Sequence, residues 1–265
     1  LSTDRLIRAG RGASDDRPLA VYAKENGAFQ LKGVDVRASA LGLTLAMSLA
    51  DARAMQPKLE AIEAEPEEDA RILDHIAAWC ERFTPVVALD PPQGLFLNIT
   101  GCAHLFGGEK KLRAEIVARL HAQGFGARAA IAPTPGAAWA FARYGTQQTQ
   151  ERNDLADALA SLPAEALRLD PDAAALLRRL GLKTIGQILK APRSAFTARA
   201  GERAMLRLDQ ALGRTQEALT PRRPAPPVFA LRRLLEPIFT ADAVLQVTQD
   251  LCGDVVEKLD LRGAG

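Results

Sequence analysis

The stretch that decides the fold runs from residue 84 to residue 108: Thr84-Pro85-Val86-Val87-Ala88-Leu89-Asp90-Pro91-Pro92-Gln93-Gly94-Leu95-Phe96-Leu97-Asn98-Ile99-Thr100-Gly101-Cys102-Ala103-His104-Leu105-Phe106-Gly107-Gly108. Two β-rich apolar runs, Val86–Leu89 and Leu95–Ile99, flank Asp90-Pro91-Pro92-Gln93-Gly94. Proline interrupts a hydrogen-bonded ladder and glycine admits a tight turn, so this pattern predicts a hairpin with Asp90 where the first strand ends.

Working outward, Ile72, His75, Ile76 and Trp79 fall at i, i+3, i+4 and i+7 and predict an amphipathic helix over Asp69–Phe83. His75 reads as a packed residue at the core edge, because no second ligand sits at helical spacing. Trp79 reads as core, and the acidic run Glu63–Asp69 as a solvated helix start. Further upstream, Leu19–Tyr22 and Ala28–Leu31 read as strands joined through Glu25-Asn26-Gly27, since Asn-Gly supplies the positive φ of a tight hairpin. Val34–Leu41 reads as a helix stopped by Gly42, and Ser48 caps another over Leu49–Met55. Downstream come a helix over Glu109–Gln123, a strand over Gly126–Ala132 and a helix over Thr134–Tyr144 that Pro135 can start. Gln147–Gln150 is polar and reads as a linker. This order is that of an α+β sheet with helices on one side.

From Leu155 to Gly213 the pattern is helical with short breaks. Leu180-Gly181-Leu182-Lys183-Thr184-Ile185-Gly186 sits between two apolar-faced helices and reads as a helix-hairpin-helix. In such a unit, outward backbone N–H groups and the positive end of the second helix can receive a DNA phosphate without reading a base. Gly181, Lys183, Thr184 and Gly186 are therefore candidate DNA-binding residues, joined by Arg222 and Arg223 of the proline-rich stretch Pro221–Pro227, which reads as an extended linker.

The 265 residues are 48% hydrophobic and 25% charged, the balance of a globular protein. No apolar run approaches the roughly 20 residues that span a bilayer. Cys80, Cys102 and Cys252 have neither metal-ligand spacing nor a disulfide pattern and read as buried small apolar residues, which fits a reducing, cytoplasmic compartment. The Leu1 start and the Leu261–Gly265 finish read as the ends of a piece of something longer. The net charge of +2 is uneven: residues 1–110 carry 12 basic and 16 acidic side chains, residues 111–233 carry 20 and 10, and residues 234–265 carry 2 and 6. Clustered Lys and Arg neutralise phosphates, so the middle is the candidate anion-binding surface. No HExxH, CxxC or Walker-type loop points to metal or nucleotide hydrolysis.

The joint order of segments resembles the Y-family of translesion DNA polymerases. Thr84–Gly101 resembles that family's palm hairpin, Gly42–Pro57 its fingers, Ala129-Ala130-Ile131-Ala132 its Gly-Ile-Ala step, and the helix-hairpin-helix falls where its thumb lies. The phrase Asn98–Gly108, with Thr134-Pro135-Gly136-Ala137-Ala138-Trp139-Ala140, resembles the ImuB-like branch in particular. The resemblance implies a palm over 1–18 and 66–150, fingers over 19–65, a thumb over 151–220, a linker over 221–228 and a truncated little finger over 229–265.

The departures bear on chemistry. A polymerase needs two or three carboxylates to hold two Mg²⁺ ions. Asp90 falls on the family's aspartate, but Pro91 replaces the glutamate beside it, leaving Asp90 vestigial. The family's first aspartate would lie upstream of Leu1. Val36 and Ser39 stand where the family grips the triphosphate with Tyr and Arg, and Thr134-Pro135 stands for its Asn-Lys. Three altered nucleotide-handling sites predict a non-catalytic scaffold without cofactors, nucleoid-associated on DNA damage. The resemblance further implies DNA, an ImuA-like RecA-related protein, an error-prone replicative-type polymerase subunit and, through a tail absent here, the sliding clamp as partners in SOS mutagenesis. Two alternatives stay open: an active polymerase with replacement carboxylates such as Asp35 or Glu109, and a protein-interaction module that does not bind DNA.

Overall fold

Alternation of apolar and polar residues builds the first sheet. In the computed structural model, which describes residues 1–12, 17–25, 27–145, 155–223 and 228–261, helix α1 (Ser2–Arg8) leads into β1 (Leu19–Glu25) and β2 (Ala28–Val34). Leu19, Ala20 and Val21 of β1 and Leu31 of β2 are buried. The two strands pair antiparallel from Ala20↔Val34 to Glu25↔Ala28, with a register shift between Val21 and Tyr22. Asn26 lies outside the described residues; Gly27 beside it has φ +83°. Two short helices follow, each with its own cap: Asp35 accepts from the Ala38 N–H at the start of α2 (Val36–Ala40), and Ser48 from the Asp51 N–H at the start of α3 (Leu49–Met55). Strand β3 (Glu60–Glu63) then pairs parallel to β1, Leu19 opposite Glu60, giving the order β2-β1-β3. The local pattern does not announce β3, because a parallel neighbour about forty residues upstream is a non-local partner.

Helix α4 (Pro66–Cys80) buries Asp69, Leu73, Ala77 and Cys80, a face rotated from the one the Ile72/His75 spacing predicts. His75 is exposed and Trp79 is half-buried against Phe83. The acidic run is not uniformly solvated either. Asp69 is buried and accepts from Ser2 Oγ and Arg5 Nε, each at 2.6 Å, while Glu65 pairs with both Arg5 and Arg11. These contacts fasten α1 to α4, so an unpaired carboxylate is not left in the interior.

The predicted hairpin forms as β4 (Val87–Asp90) and β5 (Gly94–Leu97), paired from Val87↔Leu97 to Asp90↔Gly94. Thr84, almost fully buried, donates its Oγ1 to the Asn98 carbonyl at 2.5 Å and closes the open end of the hairpin. After a 3₁₀ turn at Ala103–Phe106 come α5 (Glu109–Ala122) and α6 (Pro135–Tyr144), with Thr134 capping α6 through the Ala137 N–H. The predicted strand over Gly126–Ala132 forms no extended ladder among the described residues. Side chains take part of its backbone instead: Asp4 accepts from the Gly126 N–H, His121 meets the Ala127 carbonyl, and Arg113 reaches the Ala129 carbonyl. The described residues therefore hold two separate sheets, β2-β1-β3 and β4-β5.

Gln147–Gln150 lies outside the described residues. The helical half comprises α7 (Leu155–Ala160), a 3₁₀ turn at Ala164–Leu167, α8 (Pro171–Arg179), α9 (Ile185–Lys190), α10 (Arg193–Ala200) and α11 (Glu202–Ala211). Its core contains Leu159, Leu177, Ile185, Ile188 and Leu208, and it also takes in Ala137, Ala140 and Phe141 of α6. Helix α6 thus shares one core with the bundle. A Cβ on Gly136 would lie 2.9 Å from Ala211 Cα, and Thr134 Oγ1 donates to the Ala211 carbonyl at 2.8 Å.

The chain then returns to the hairpin. Pro221 bridges to Ala88, and the Arg222 N–H donates to the Val87 carbonyl at 2.6 Å. Residues Leu1–Arg222 form one compact unit and Arg223–Gly265 a second. The stretch read as a linker from Pro221 therefore starts as part of the first unit, and its residues 224–227 lie outside the described ones. In the second unit, Thr240 caps α12 (Ala241–Asp260), Arg232 pairs with Asp250 and Asp254, and Lys258 donates to the Phe229 carbonyl. Cys80 is buried as expected, but Cys102 is half-buried and Cys252 is exposed on α12, a helix with no buried residues. No described helix is long and apolar enough to cross a membrane.

Candidate nucleic-acid interface

Asp90 ends β4 opposite Gly94, across a turn whose Pro91–Pro92 peptide is cis. Its Oδ2 accepts from the Trp139 indole N–H at 2.9 Å and from Arg143 Nη2 at 3.4 Å. Trp139 and Arg143 lie four apart on α6 and so share a helical face. The Arg143 guanidinium sits 4.1 Å from the Trp139 ring centre. A Cβ on Gly94 would stand 2.5 Å from Asp90 Oδ2 and 3.0 Å from Arg143 Nη2, so glycine alone leaves room for this contact. Burial pushes the Arg143 guanidinium below its ordinary pKa, and the Asp90 charge opposes that shift.

Arg168 extends the cluster. It follows the 3₁₀ turn with φ +54°, and its guanidinium lies 5.6 Å from the Phe96 ring and 5.9 Å from Trp139. It donates to both oxygens of Glu217, at 2.5 and 2.6 Å, and Arg207 donates to the same carboxylate at 2.9 Å. Sequence reading could see the Trp139/Arg143 spacing but had no signal for their meeting Asp90 across 49 and 53 residues.

The segment Leu180–Gly186, expected to be a helix-hairpin-helix phosphate receiver, uses its turn N–H groups within the chain. Gly181 has φ +77° and open space around it, as the turn after α8 requires. Gln187 Oε1 accepts from the Lys183 and Thr184 N–H groups at 2.7 and 3.1 Å, and Thr184 Oγ1 accepts from the Gln187 N–H at 3.3 Å. This capping box uses the donors expected to face a phosphate. The Ile185 N–H donates to Leu162, and a Cβ on Gly186 would lie 2.9 Å from the Ala160 carbonyl oxygen. Gly186 thus permits close packing of α9 on α7.

Arg222 also departs from its predicted role. Its Nε and Nη2 donate to Asp74 at 2.7 and 3.0 Å and its Nη1 to Glu81 at 2.6 Å, so its charge is already answered by α4. Arg178, Arg193, Arg203 and Arg214 carry ion pairs with Glu165, Asp209, Asp170 and Asp209. Among the described residues, Arg179, Lys183 and Lys190 of the first unit are exposed without an ion pair, as is Arg223 in the second.

Residues 13–143 match the impB/mucB/samB family. Two proteins named Protein ImuB, from Caulobacter vibrioides strains NA1000/CB15N and CB 15, are each 44% identical to this chain over 226 residues. Those alignments cover 85% of this chain and 49% of the relatives, so the chain spans about half their length. Among solved structures, the fold is similar to a DinB from Sulfolobus solfataricus, at TM-score 0.63 and 15% identity over 82% of this chain and 66% of that one. It is also similar to an insertion ternary complex of Dbh DNA polymerase, at TM-score 0.59 and 16% identity over 76% and 62% of the two chains. The fold is that of the Y-family polymerases. Within that family, the sequence places this chain on the ImuB-like branch.

Family chemistry calls for Mg²⁺ held by carboxylates, and the donors present do not fit it. Asp90 brings one carboxylate, one of whose oxygens is engaged by Trp139 and Arg143. No group of three or more His, Cys, Asp or Glu side chains among the described residues could hold a metal ion. Asp35, one of the replacements considered above, is spent as the cap of α2, and Glu109 sits exposed in the first turn of α5.

Proposed function

We propose that this chain is the non-catalytic, DNA-holding part of a translesion-synthesis factor. The supporting observation is a Y-family fold whose palm hairpin offers one carboxylate, already answered by the chain's own Trp139 and Arg143. A fold with these donors can still place DNA through backbone and phosphate contacts, which need no metal.

On this reading, α8, the Gly181 turn and α9 form a helix-hairpin-helix that meets phosphates through side chains. Arg179, Lys183 and Lys190 carry the contact, Gly181 and Gly186 shape the unit, Thr184 holds its cap, and Arg223 adds a charge in the second unit. Arg222 is left out because α4 holds it. On the resemblance to the ImuB-like branch, the proposed setting is damage-induced mutagenesis, with an ImuA-like protein, an error-prone polymerase subunit and a sliding clamp as proposed partners.

The test is primer extension by the full-length protein with Mg²⁺ and four nucleotides, beside DNA binding across a salt series. Salt-dependent binding without extension is the expected result. Extension abolished by Asp90→Ala would overturn the non-catalytic reading. One observation favours a protein-interaction module instead: much of the arginine charge in residues 111–233 is paired internally. Binding that does not weaken as salt rises would favour that rival.

A further inference from the structure

Asp90, which the family resemblance reads as the vestige of a metal site, sits in a cluster of specific contacts. It meets Trp139 at 2.9 Å and Arg143 at 3.4 Å, and the turn keeps a glycine at the one place where a Cβ would strike both Asp90 and Arg143. The Arg143 guanidinium packs on Trp139, and Arg168 lies near the same ring while its own charge is answered by Glu217. Aromatic faces attract cations, so Trp139 can gather two guanidinium groups that would otherwise repel each other.

We propose, resting on the non-catalytic reading above, that Asp90 is kept as the anchor of a built-in cation clamp. In this clamp Arg143, packed on Trp139, stands in for a divalent cation at the Asp90 carboxylate, while Arg168 lies near the same ring and is held by Glu217. The clamp excludes Mg²⁺ and ties the hairpin to the helical half. A hydrated Mg²⁺ demands several oxygens in near-octahedral geometry at about 2.0–2.1 Å. Here an indole N–H and a guanidinium occupy the approach to Oδ2, and both present positive charge to an incoming cation. The contacts join four places distant in sequence: Asp90 and Phe96 in the hairpin, Trp139 and Arg143 on α6, Arg168 after its 3₁₀ turn, and Glu217 after α11.

The experiment uses the full-length protein with two readouts. Mn²⁺ binding is followed by electron paramagnetic resonance, with Mn²⁺ as the probe. Amide exchange is followed in residues 87–97. The clamp predicts that Asp90→Asn leaves the Mn²⁺ isotherm unchanged. It also predicts that Asp90→Asn and Arg143→Gln each speed hairpin exchange, and that the double variant is no faster than the faster single one. Arg143→Lys, which keeps the charge, recovers part of the protection. A saturable Mn²⁺ site lost in Asp90→Asn would overturn the proposal, as would hairpin exchange indifferent to Asp90→Asn, additive effects of the two changes, or no recovery by lysine. Primer extension decides the non-catalytic reading separately: a Mn²⁺ site without extension would sink the clamp and spare that reading.

Discussion

Arg222 grips Asp74 with two nitrogens, Nε at 2.7 Å and Nη2 at 3.0 Å, across 148 residues of sequence. Its remaining reach goes to Glu81, about two turns further along the same helical path, at 2.6 Å. This fork seats the end of the first unit on α4 beside β4, where the Arg222 N–H also joins Val87. Arg222→Gln is expected to cost about 1 kcal/mol, since the pairs are partly exposed to solvent. The pH dependence follows from Asp74, whose carboxyl Arg222 holds below the usual range. A depressed carboxylate contributes its stability above the unfolded pKa of about 3.9 and loses it as pH falls through the folded value. Melting curves of wild type and Arg222→Gln should therefore differ at pH 7 and converge in acid. A constant gap down to strongly acidic pH would count against this pair.

Glu65 offers a second titration test. Arg11 first, and then Arg5, hold its carboxyl down to about 2. Arg11→Ala should move that carboxyl back toward its ordinary value, read from its NMR chemical shift against pH. No movement would mean that Arg5 alone sets the charge state of Glu65.

Thr184 and Lys183 are neighbours with separable roles. Thr184→Ala removes the cap of α9 and should lower stability by about 1 kcal/mol while leaving the salt slope of DNA binding unchanged. Lys183→Ala should leave the melting temperature nearly unchanged and reduce the slope of log K against log salt by about 1. The reverse pattern would return phosphate binding to the backbone of the turn.

Gly136 tests whether α6 and the bundle share one core. Gly136→Ala puts a methyl group 2.9 Å from Ala211 Cα, where backbone must yield. Overpacking of this kind costs about 1–3 kcal/mol. Differential scanning calorimetry should show a lowered transition, with faster amide exchange in both α6 and α11. Faster exchange confined to α6 would mean that the two helices open independently.

Leu177, on α8, is fully buried in the same core. Leu177→Ala should lower stability by about 2–5 kcal/mol, because the cavity adds to the lost transfer energy. A loss near zero, measured by urea unfolding, would contradict the packing described for the bundle.

The readable parts of the fold were those whose cause is local. Ser48, Pro135, Gly181 and the Pro-Pro turn act on the backbone within a few residues, so the two hairpins and these caps lie where they are expected, whereas α4 runs Pro66–Cys80 instead of Asp69–Phe83 and Val34 ends a strand instead of starting a helix. The buried face of α4 differs from the one its spacing predicts because Ile72, Ile76 and Trp79 compete with Leu73 and Ala77 for the core, and only the neighbours settle that competition. The strand expected over Gly126–Ala132 has β composition, but composition provides no ladder partner. Its described hydrogen bonds run to Asp4, His121 and Arg113 instead.

The site divides in the same way. The sequence alone determined that Asp90 stands next to Pro91 with no second carboxylate beside it, and that residues 111–233 carry excess positive charge. Only the tertiary structure decided what those charges do. It turned Arg222 inward to Asp74 and Glu81, spent the N–H groups of Lys183 and Thr184 on Gln187, and brought Trp139 and Arg143 to Asp90. The physical reason is that a charge or donor acts through whatever lies within a few ångströms. Sequence fixes which groups exist and their neighbours along the chain, whereas the packing of distant segments decides which groups are close enough to neutralise one another.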